Sequence, residues 1–254
     1  MQIGFIGTGT ISGAVIEGLQ SLPDAPEIIV SPRSERASLA LAAKFRRVTR
    51  AASNAEVAKV DIVFLGMRPM HVDDAMTGIA FGAGQILVSM VAGFSLDDIR
   101  KRWPRPKICR FIPMPGIARG IGPMATYPAL PEIVALFAPL GDLFVAADET
   151  KLSFGGVNAF MSSYYQLQRA LIDAGTAAGL SESEARGYVV SLLGMLADTA
   201  QHTPPQSFGA LVDEHQTKGG LNEHVRANLL AKGWFDMPAI AMRETTTLNY
   251  KKLG

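Results

Sequence analysis

The feature that most constrains the fold is a glycine-rich turn within the first thirteen residues. A short apolar run, residues 3–6, leads into this turn, and a helical pattern follows it. In such a unit the first glycine permits a tight turn and the second lets the backbone approach a pyrophosphate. The helix N-terminus then offers free N–H groups and a positive dipole end to the anion. The pattern predicts a dinucleotide site, with a plain strand–turn–helix as the alternative, and its residues are Gly7, Thr8, Gly9, Thr10, Ile11 and Ser12.

Short apolar runs alternate with helical segments as far as about residue 148. Parallel strands that are buried on both faces read as continuous apolar runs, so the pattern predicts a parallel α/β sheet. We therefore predict a Rossmann-type domain over residues 1–150, with a first helix from residue 10 to 21. The predicted strands are 2–6, 27–30, 62–65, 86–91, 107–111 and, more weakly, 124–127.

Beyond residue 150 the strand pattern stops and helical periodicity continues to the end of the chain. The stretch Ser-Glu-Ser-Glu at residues 181–184 supplies an N-cap and acidic first-turn residues for a helix. The fold class is therefore α/β, with an N-terminal Rossmann-type parallel-sheet domain followed by an all-helical C-terminal domain over residues 151–254. The predicted helices are 158–178, 183–200, 206–213, 221–232 and 237–253.

The end of the second predicted strand indicates which dinucleotide binds. The residue there faces the adenosine ribose, and an acidic residue would repel a 2′-phosphate. This chain instead carries the hydroxyls of Ser31 and Ser34 and the guanidinium of Arg33, which suits a bidentate grip on phosphate. This turn, residues 31–34, is the corner after the second strand, and it favours the binding of NADP(H) over that of NAD(H). A solvated arginine in a helix-capping turn is the alternative.

Charge and composition exclude several classes of function. Lys and Arg number 24 against 23 Asp and Glu, so no basic field exists to hold nucleic acid or a membrane surface. No apolar stretch of about 18 residues predicts a membrane span, and the N-terminus lacks a secretory pattern. We expect a cytoplasmic protein with a small-molecule substrate.

The residues that most often bind metals offer no site. Cys109 is the single cysteine, which rules out a disulfide framework or a Cys-rich metal site and fits a reducing compartment. We interpret it as a small core residue. No metal site is predicted, because no ligand spacing relates the histidines, which are His71, His202, His215 and His224.

Several stretches together resemble the pyrroline-5-carboxylate reductases, which use NAD(P)H to reduce a cyclic imine to proline. They are the GFIGTG and SPRS stretches, residues 64–69, 88–93 and 110–113, and a C-terminal loop at 213–220. The resemblance implies a reductase whose helical domain forms a homodimer or a higher homo-oligomer, with the active site between the cofactor domain of one subunit and the helices of the dimer. It extends the cofactor site to Met67, Arg68, Pro69, Ala92, Gly93, Pro113 and Met114.

Near the substrate, the sequence departs from that family. Met114 stands where the family has asparagine, and the stretch around Asn158 has lost much of its polarity. The resemblance implies that a glycine loop binds a substrate carboxylate through its amides, with an ordinary interhelix turn as the alternative. It also aligns Asn222 with a threonine near the substrate nitrogen; we predict Asn222 as the catalytic residue, and helix N-capping is the alternative. The candidate substrate-binding residues are Asn158, Thr217, Lys218, Gly219, Gly220 and Leu221.

The sequence leaves other functions open. Hydroxyacid dehydrogenases with this two-domain plan resemble one another in carrying a lysine on the first long helix of the second domain. This chain has no lysine between Lys151 and Lys218, which disfavours that activity. Reduction of another imine, a carbonyl compound or a deazaflavin stays possible, as does a regulator that binds NADP without catalysis.

Overall fold

The computed structural model describes residues 1–203 and 208–246. Within these ranges the chain forms two compact units, which divide between Gly155 and Gly156. The division lies just after the boundary that we predict near residue 150. Each unit has its own architecture.

The first unit is built on one eight-stranded sheet, whose strands are β1 (Gln2–Ile6), β2 (Glu27–Val30), β3 (Val48–Arg50), β4 (Ile62–Leu65), β5 (Ile86–Ser89), β6 (Lys107–Ile112), β7 (Pro123–Tyr127) and β8 (Asp142–Val145). All six predicted strands are present, although β5 ends at Ser89 rather than at residue 91. Two short strands, β3 and β8, were missed. In the sheet the strands lie in the order β3-β2-β1-β4-β5-β6-β7-β8.

The sheet departs from the predicted parallel arrangement at one pair. β7 runs antiparallel to β6, with Phe111 opposite Thr126, whereas the other neighbouring pairs are parallel. A parallel crossover needs about a dozen residues or more, usually including a full helix. The connection between β6 and β7 contains only the short 3-10 helix Pro115–Arg119, so the chain turns back instead. The predicted fold class, a Rossmann-type sheet domain followed by helices, is confirmed.

Helices cover both faces of this sheet, which explains why its central strands are continuously apolar. On one face Phe5 stacks on Phe64, with ring centroids 4.7 Å apart, in a core that includes Val15 and Leu19 from the first helix. On the other face Val63 and Leu65 belong to a second core. The helices of this unit are α1 (Thr10–Gln20), α2 (Glu35–Lys44), α3 (Asn54–Val57), α4 (Val72–Ala75), α5 (Leu96–Arg102) and α6 (Pro131–Phe137).

The second unit is helical. The predicted helix 158–178 is wrong at its start, because a short helix ends at Asn158 and a turn precedes the long helix. The predicted cap is confirmed: the Ser181 hydroxyl accepts from the Glu184 N–H, and the Glu184 carboxylate accepts from the Ser181 N–H. Residues 206–207 and 247–253 of two predicted helices lie outside the described residues. The helices are α7 (Gly155–Asn158), α8 (Met161–Ala177), α9 (Glu182–His202), α10 (Phe208–Glu214), α11 (Leu221–Ala231) and α12 (Met237–Thr246).

Burial is sparse in the second unit. Ile172 of α8 and Ala185 and Val189 of α9 form a small core. No residue of α10 or α11 is buried. Among the described helices of both units, none has the length and apolar character needed to cross a membrane.

Candidate functional site

The glycine turn between β1 and α1 has the geometry that the sequence predicts. Gly7 has φ +97°, a conformation that side chains disfavour, and a Cβ added there would lie 2.7 Å from the backbone C and O of Gly66. Gly9 has φ −72° and is the N-cap of α1, and an added Cβ would meet Gly66 O only at 4.0 Å. Gly7 is therefore required by the backbone, whereas Gly9 leaves space open in front of the helix.

A cavity of about 260 Å³ lies at the turn, at the carboxyl ends of β1, β2 and β4. In open α/β sheets, ligands bind outside these ends of the strands. Eight predicted cofactor residues line the cavity: Gly7, Thr8, Gly9, Ser31, Arg33, Ser34, Met67 and Arg68. Five further residues line the cavity that the sequence motifs did not indicate: Ile6, Asn54, Gly66, His71 and Ala75.

The groups around this cavity suit a dinucleotide. No side chain caps the first turn of α1 in the described chain, so its N-terminal N–H groups face the turn as donors for phosphate. Arg33 and Arg68 add positive charge. The Oδ1 atom of Asn54 is buried and has no hydrogen-bond partner within the part of the chain that the structure describes. A ligand hydroxyl or amine is the kind of donor that this oxygen lacks.

Two predicted residues hold the walls of the cavity together. The Gly7 N–H donates to Ser31 Oγ at 3.0 Å, and Thr8 Oγ1 donates to the carbonyl oxygen of Arg33 at 3.2 Å. Both side chains are almost fully buried. These bonds join the glycine turn to the corner after β2, so that the pyrophosphate and adenosine ends of the predicted site keep a fixed spacing.

Ser12, the third position of the glycine motif, serves packing. It is 1% exposed, its Oγ has no partner among the described residues, and a Cβ on Gly66 would lie 2.0 Å from it. A small residue is thus needed where α1 meets the end of β4. The remaining predicted cofactor residues lie outside the cavity lining, near the turn or after strand ends: Thr10, Ile11, Pro69, Ala92, Gly93, Pro113 and Met114. Their binding role stays a prediction.

Arg33 already has an anionic partner. Its Nη1 lies 2.7 Å from Oδ2 of Asp74 on α4, and both side chains are more than half exposed. Ser34 is the N-cap of α2 with φ +64° and makes no capping bond through its hydroxyl. Sequence patterns did not identify Asp74, which is 41 positions from Arg33.

The predicted substrate loop precedes α11 in the second unit. The Gly219 N–H donates to the Glu223 carboxylate at 2.5 Å, and the Gly220 N–H donates to the Thr217 carbonyl at 2.8 Å. Two of the three amides predicted to bind a substrate carboxylate, those of Gly219 and Gly220, therefore have partners from their own chain. Sequence patterns did not identify Glu223, although a glutamate three positions after a helix N-cap commonly reaches back to the N–H of the cap, which lies one residue after Gly219.

Asn222 is not a helix cap, because Gly220 is the N-cap of α11. Its Nδ2 instead donates to the His215 carbonyl at 2.9 Å, which fixes the amide on the loop. Leu221 is 80% exposed, Lys218 is exposed, and Asn158 is half-buried at the end of α7. None of these predicted substrate residues lines the second unit's apolar cleft, a cavity of about 520 Å³ between α8 and α12.

The remaining reactive side chains have structural surroundings. Cys109 is buried in β6, and burial raises the pKa of its thiol to about 12, so the thiol stays protonated and unreactive. In three histidines Nδ1 lies 2.8–3.0 Å from the carbonyl four residues earlier, and these are His202, His215 and His224. Residues 1–203 and 208–246 hold no group of three or more His, Cys, Asp or Glu that could bind a metal.

Comparisons with known proteins agree with this geometry. A family model described as "NADP oxidoreductase coenzyme F420-dependent" matches residues 2–93. A pyrroline-5-carboxylate reductase of Synechocystis sp. is 27% identical over 217 residues, covering 80% of this chain and 81% of its own.

Two solved structures share the fold over nearly the whole chain. A 1-pyrroline-5-carboxylate reductase of Streptococcus pyogenes has a TM-score of 0.84, 23% identity and 96% coverage of both chains. A pyrroline carboxylate reductase of Plasmodium falciparum, solved with NADP bound, has a TM-score of 0.84, 17% identity and coverage of 96% and 95%. The predicted resemblance to the pyrroline-5-carboxylate reductases and the predicted class of NAD(P)-dependent oxidoreductase are confirmed.

Proposed function

We propose that this protein, which is similar to pyrroline-5-carboxylate reductases along most of its length, is an NADP(H)-dependent reductase that converts 1-pyrroline-5-carboxylate to proline. The observation that carries the proposal is the cavity at the glycine turn, where uncapped helix N–H groups and the Arg33 corner meet. Its relatives are named for this reaction, and one of them was solved with NADP bound.

The chemistry asks little of the protein beyond positioning. The reduced nicotinamide supplies the hydride, and the protein must orient the substrate and exclude water. A cyclic imine can be protonated in solution near neutral pH, so one hydrogen-bond partner at its nitrogen suffices. We assign that role to Asn222, whose amide nitrogen is held by the His215 carbonyl, so that its amide oxygen is the group to accept from an iminium N–H.

The direct test follows NADPH consumption with 1-pyrroline-5-carboxylate, and the reverse reaction with proline or L-thioproline and NADP at high pH. We expect turnover in both directions. Tight binding of NADPH without turnover on a panel of imines and carbonyl compounds would instead indicate a regulator. Turnover only with another imine, a carbonyl compound or a deazaflavin would keep the reductase and change its substrate.

Glu223 is expected to compete with the substrate carboxylate for the loop amides. Since Glu223 holds the Gly219 N–H at 2.5 Å, an anionic substrate must displace this carboxylate and tolerate its charge. We expect Glu223→Gln to lower KM for 1-pyrroline-5-carboxylate about threefold, with little change in kcat, because a like charge disappears while the side chain keeps its shape. Steady-state kinetics measure both constants.

Glu214→Gln is the matched control, because it removes the same charge from the exposed end of α10. It should leave KM unchanged. A rise in KM for Glu223→Gln would mean that Glu223 shapes the loop for the substrate, and an equal fall in both variants would indicate a general effect of charge.

We also propose a homodimer formed through the helices after residue 150. In the described residues the second unit exposes large apolar side chains, including Leu221 at 80%, Phe208 at 73% and Tyr188 at 70%. Short helices gain most of their stability by burying an apolar face, yet α10 and α11 bury no residue in the described part of the chain. A second copy would cover this surface.

Sedimentation equilibrium at micromolar concentration should give twice the chain's mass, and a stable monomer would contradict the proposal.

A further inference from the structure

We propose that Asp74 sets the preference between NADPH and NADH, because it competes with the 2′-phosphate of NADPH for the Arg33 guanidinium. This inference rests on the proposed function and deepens it, since it assigns a specificity role to a residue that the sequence motifs do not contain. Its basis is the Arg33–Asp74 ion pair beside the cavity at the glycine turn.

The ion pair connects two walls of that cavity. Arg33 belongs to the corner after β2 and lines the cavity, while Asp74 lies on α4. The cavity is also lined by His71, just before α4, and by Ala75, the last residue of α4. Arg33 Nη1 and Asp74 Oδ2 are 2.7 Å apart. The exposed fractions of the two side chains are 55% and 75%, so solvent and a ligand can both reach the pair.

The neighbouring carboxylate has a different partner. Asp73 Oδ1 lies 3.1 Å from Nε of Arg102, on α5. The two adjacent aspartates therefore have similar exposure and the same charge, but Asp74 contacts a cavity residue and Asp73 contacts a surface arginine outside the cavity lining. This difference makes Asp73 a matched control for Asp74.

A guanidinium forms its best bonds with one planar or tetrahedral anion at a time, through two parallel N–H groups. Asp74 now holds Nη1 of Arg33, so a 2′-phosphate that uses this nitrogen in a two-bond grip must displace the carboxylate. Once the phosphate is bound, the Asp74 carboxylate lies close to it, and the two like charges repel. NADH carries a hydroxyl at this position and meets neither obstacle, so Asp74 should weaken the binding of NADPH selectively.

The competition leaves NADPH able to bind. Exposed ion pairs are weak, since solvent screens them and their side chains lose freedom. Arg68 and His71 line the same cavity and offer further positive or hydrogen-bonding groups to a phosphate. Asp74 therefore adjusts the ratio of the two affinities and does not close the site.

The test measures dissociation constants of NADPH and NADH by calorimetry for the full chain and for Asp74→Asn. Asparagine keeps the size of the side chain and removes its charge. We expect the NADPH dissociation constant to fall about fivefold and that of NADH to change less than about twofold. Asp73→Asn should change neither constant, because it removes the same charge away from the cavity.

A double-variant cycle isolates the role of Arg33. In the Arg33→Ala background, Asp74→Asn should raise the selectivity for NADPH over NADH much less. Only the repulsion between the Asp74 carboxylate and the 2′-phosphate is then relieved.

Weaker NADPH binding by Asp74→Asn would show that Asp74 orients Arg33 for the phosphate and would overturn the inference. Equal shifts for both coenzymes, or no shift, would also overturn it. Failure of the unaltered protein to bind either coenzyme would overturn the proposed function itself, and this inference with it.

Discussion

Arg33→Ala is expected to weaken the binding of NADPH about 30-fold while changing that of NADH less than about twofold. A hydrogen bond to a charged group contributes about 1.5–3 kcal/mol, which corresponds to roughly a tenfold to 150-fold change in affinity. The guanidinium lines the cavity, and we expect it to bind chiefly the 2′-phosphate, which NADH lacks. Calorimetry with each coenzyme gives both constants, and their ratio is the decisive quantity.

Arg46→Ala is the control for this prediction. Arg46 is exposed after α2 and does not line the cavity, so its loss changes the net charge equally without touching the site. If Arg33→Ala weakened both coenzymes equally, or left the preference unchanged, the corner after β2 would not recognise the 2′-phosphate. The choice of NADP(H) over NAD(H) would then lose its support in this chain.

Gly9→Ala is expected to weaken both coenzymes at least about 30-fold and to change the free energy of unfolding by less than about 1 kcal/mol. The backbone of Gly9 has φ −72°, which alanine adopts readily, and the added Cβ meets no protein atom closer than 4.0 Å. The methyl group would project into the cavity where a pyrophosphate approaches the backbone. The fold should therefore persist while binding is lost.

Gly13→Ala in the same helix provides the contrast. A Cβ there meets nothing within 4 Å, so alanine should stabilise α1 by about 0.5–1 kcal/mol without affecting coenzyme binding. Chemical denaturation measures the stability of both variants, and calorimetry measures their affinity. Undiminished binding by Gly9→Ala would place the coenzyme elsewhere. Gly7→Ala is unsuitable for this test, because the φ of +97° and the contact with Gly66 would disturb the fold.

How well the sequence predicted each strand depended on the strand's burial. β4 and β5 are buried along their whole length, so their apolar runs stand out in the sequence. β3 buries only Val48 and has no clear apolar pattern, whereas β8 is an exposed or half-buried edge strand whose short apolar run, residues 143–145, was missed. The break between α7 and α8 was missed for a different reason. The residues across it keep a helical pattern and contain no proline.

The amino-acid sequence by itself determined the glycine turn, the positions of the main strands along the chain, the all-helical second half and the corner that carries Arg33. These features depend on local backbone conformation and on the periodicity of apolar residues, which neighbouring positions in the chain specify. Even the bond between the Ser181 cap and Glu184 belongs to this class, since its partners are three positions apart.

Only the tertiary structure decided which partners the polar groups take. The sheet order places α3 and α4 beside the turn, which brings Asn54 and His71 to the cavity and Asp74 to Arg33 across 41 positions of sequence. The physical reason is that a hydrogen bond or ion pair depends on distances of a few ångströms, and for residues far apart in sequence those distances arise only when the elements have packed.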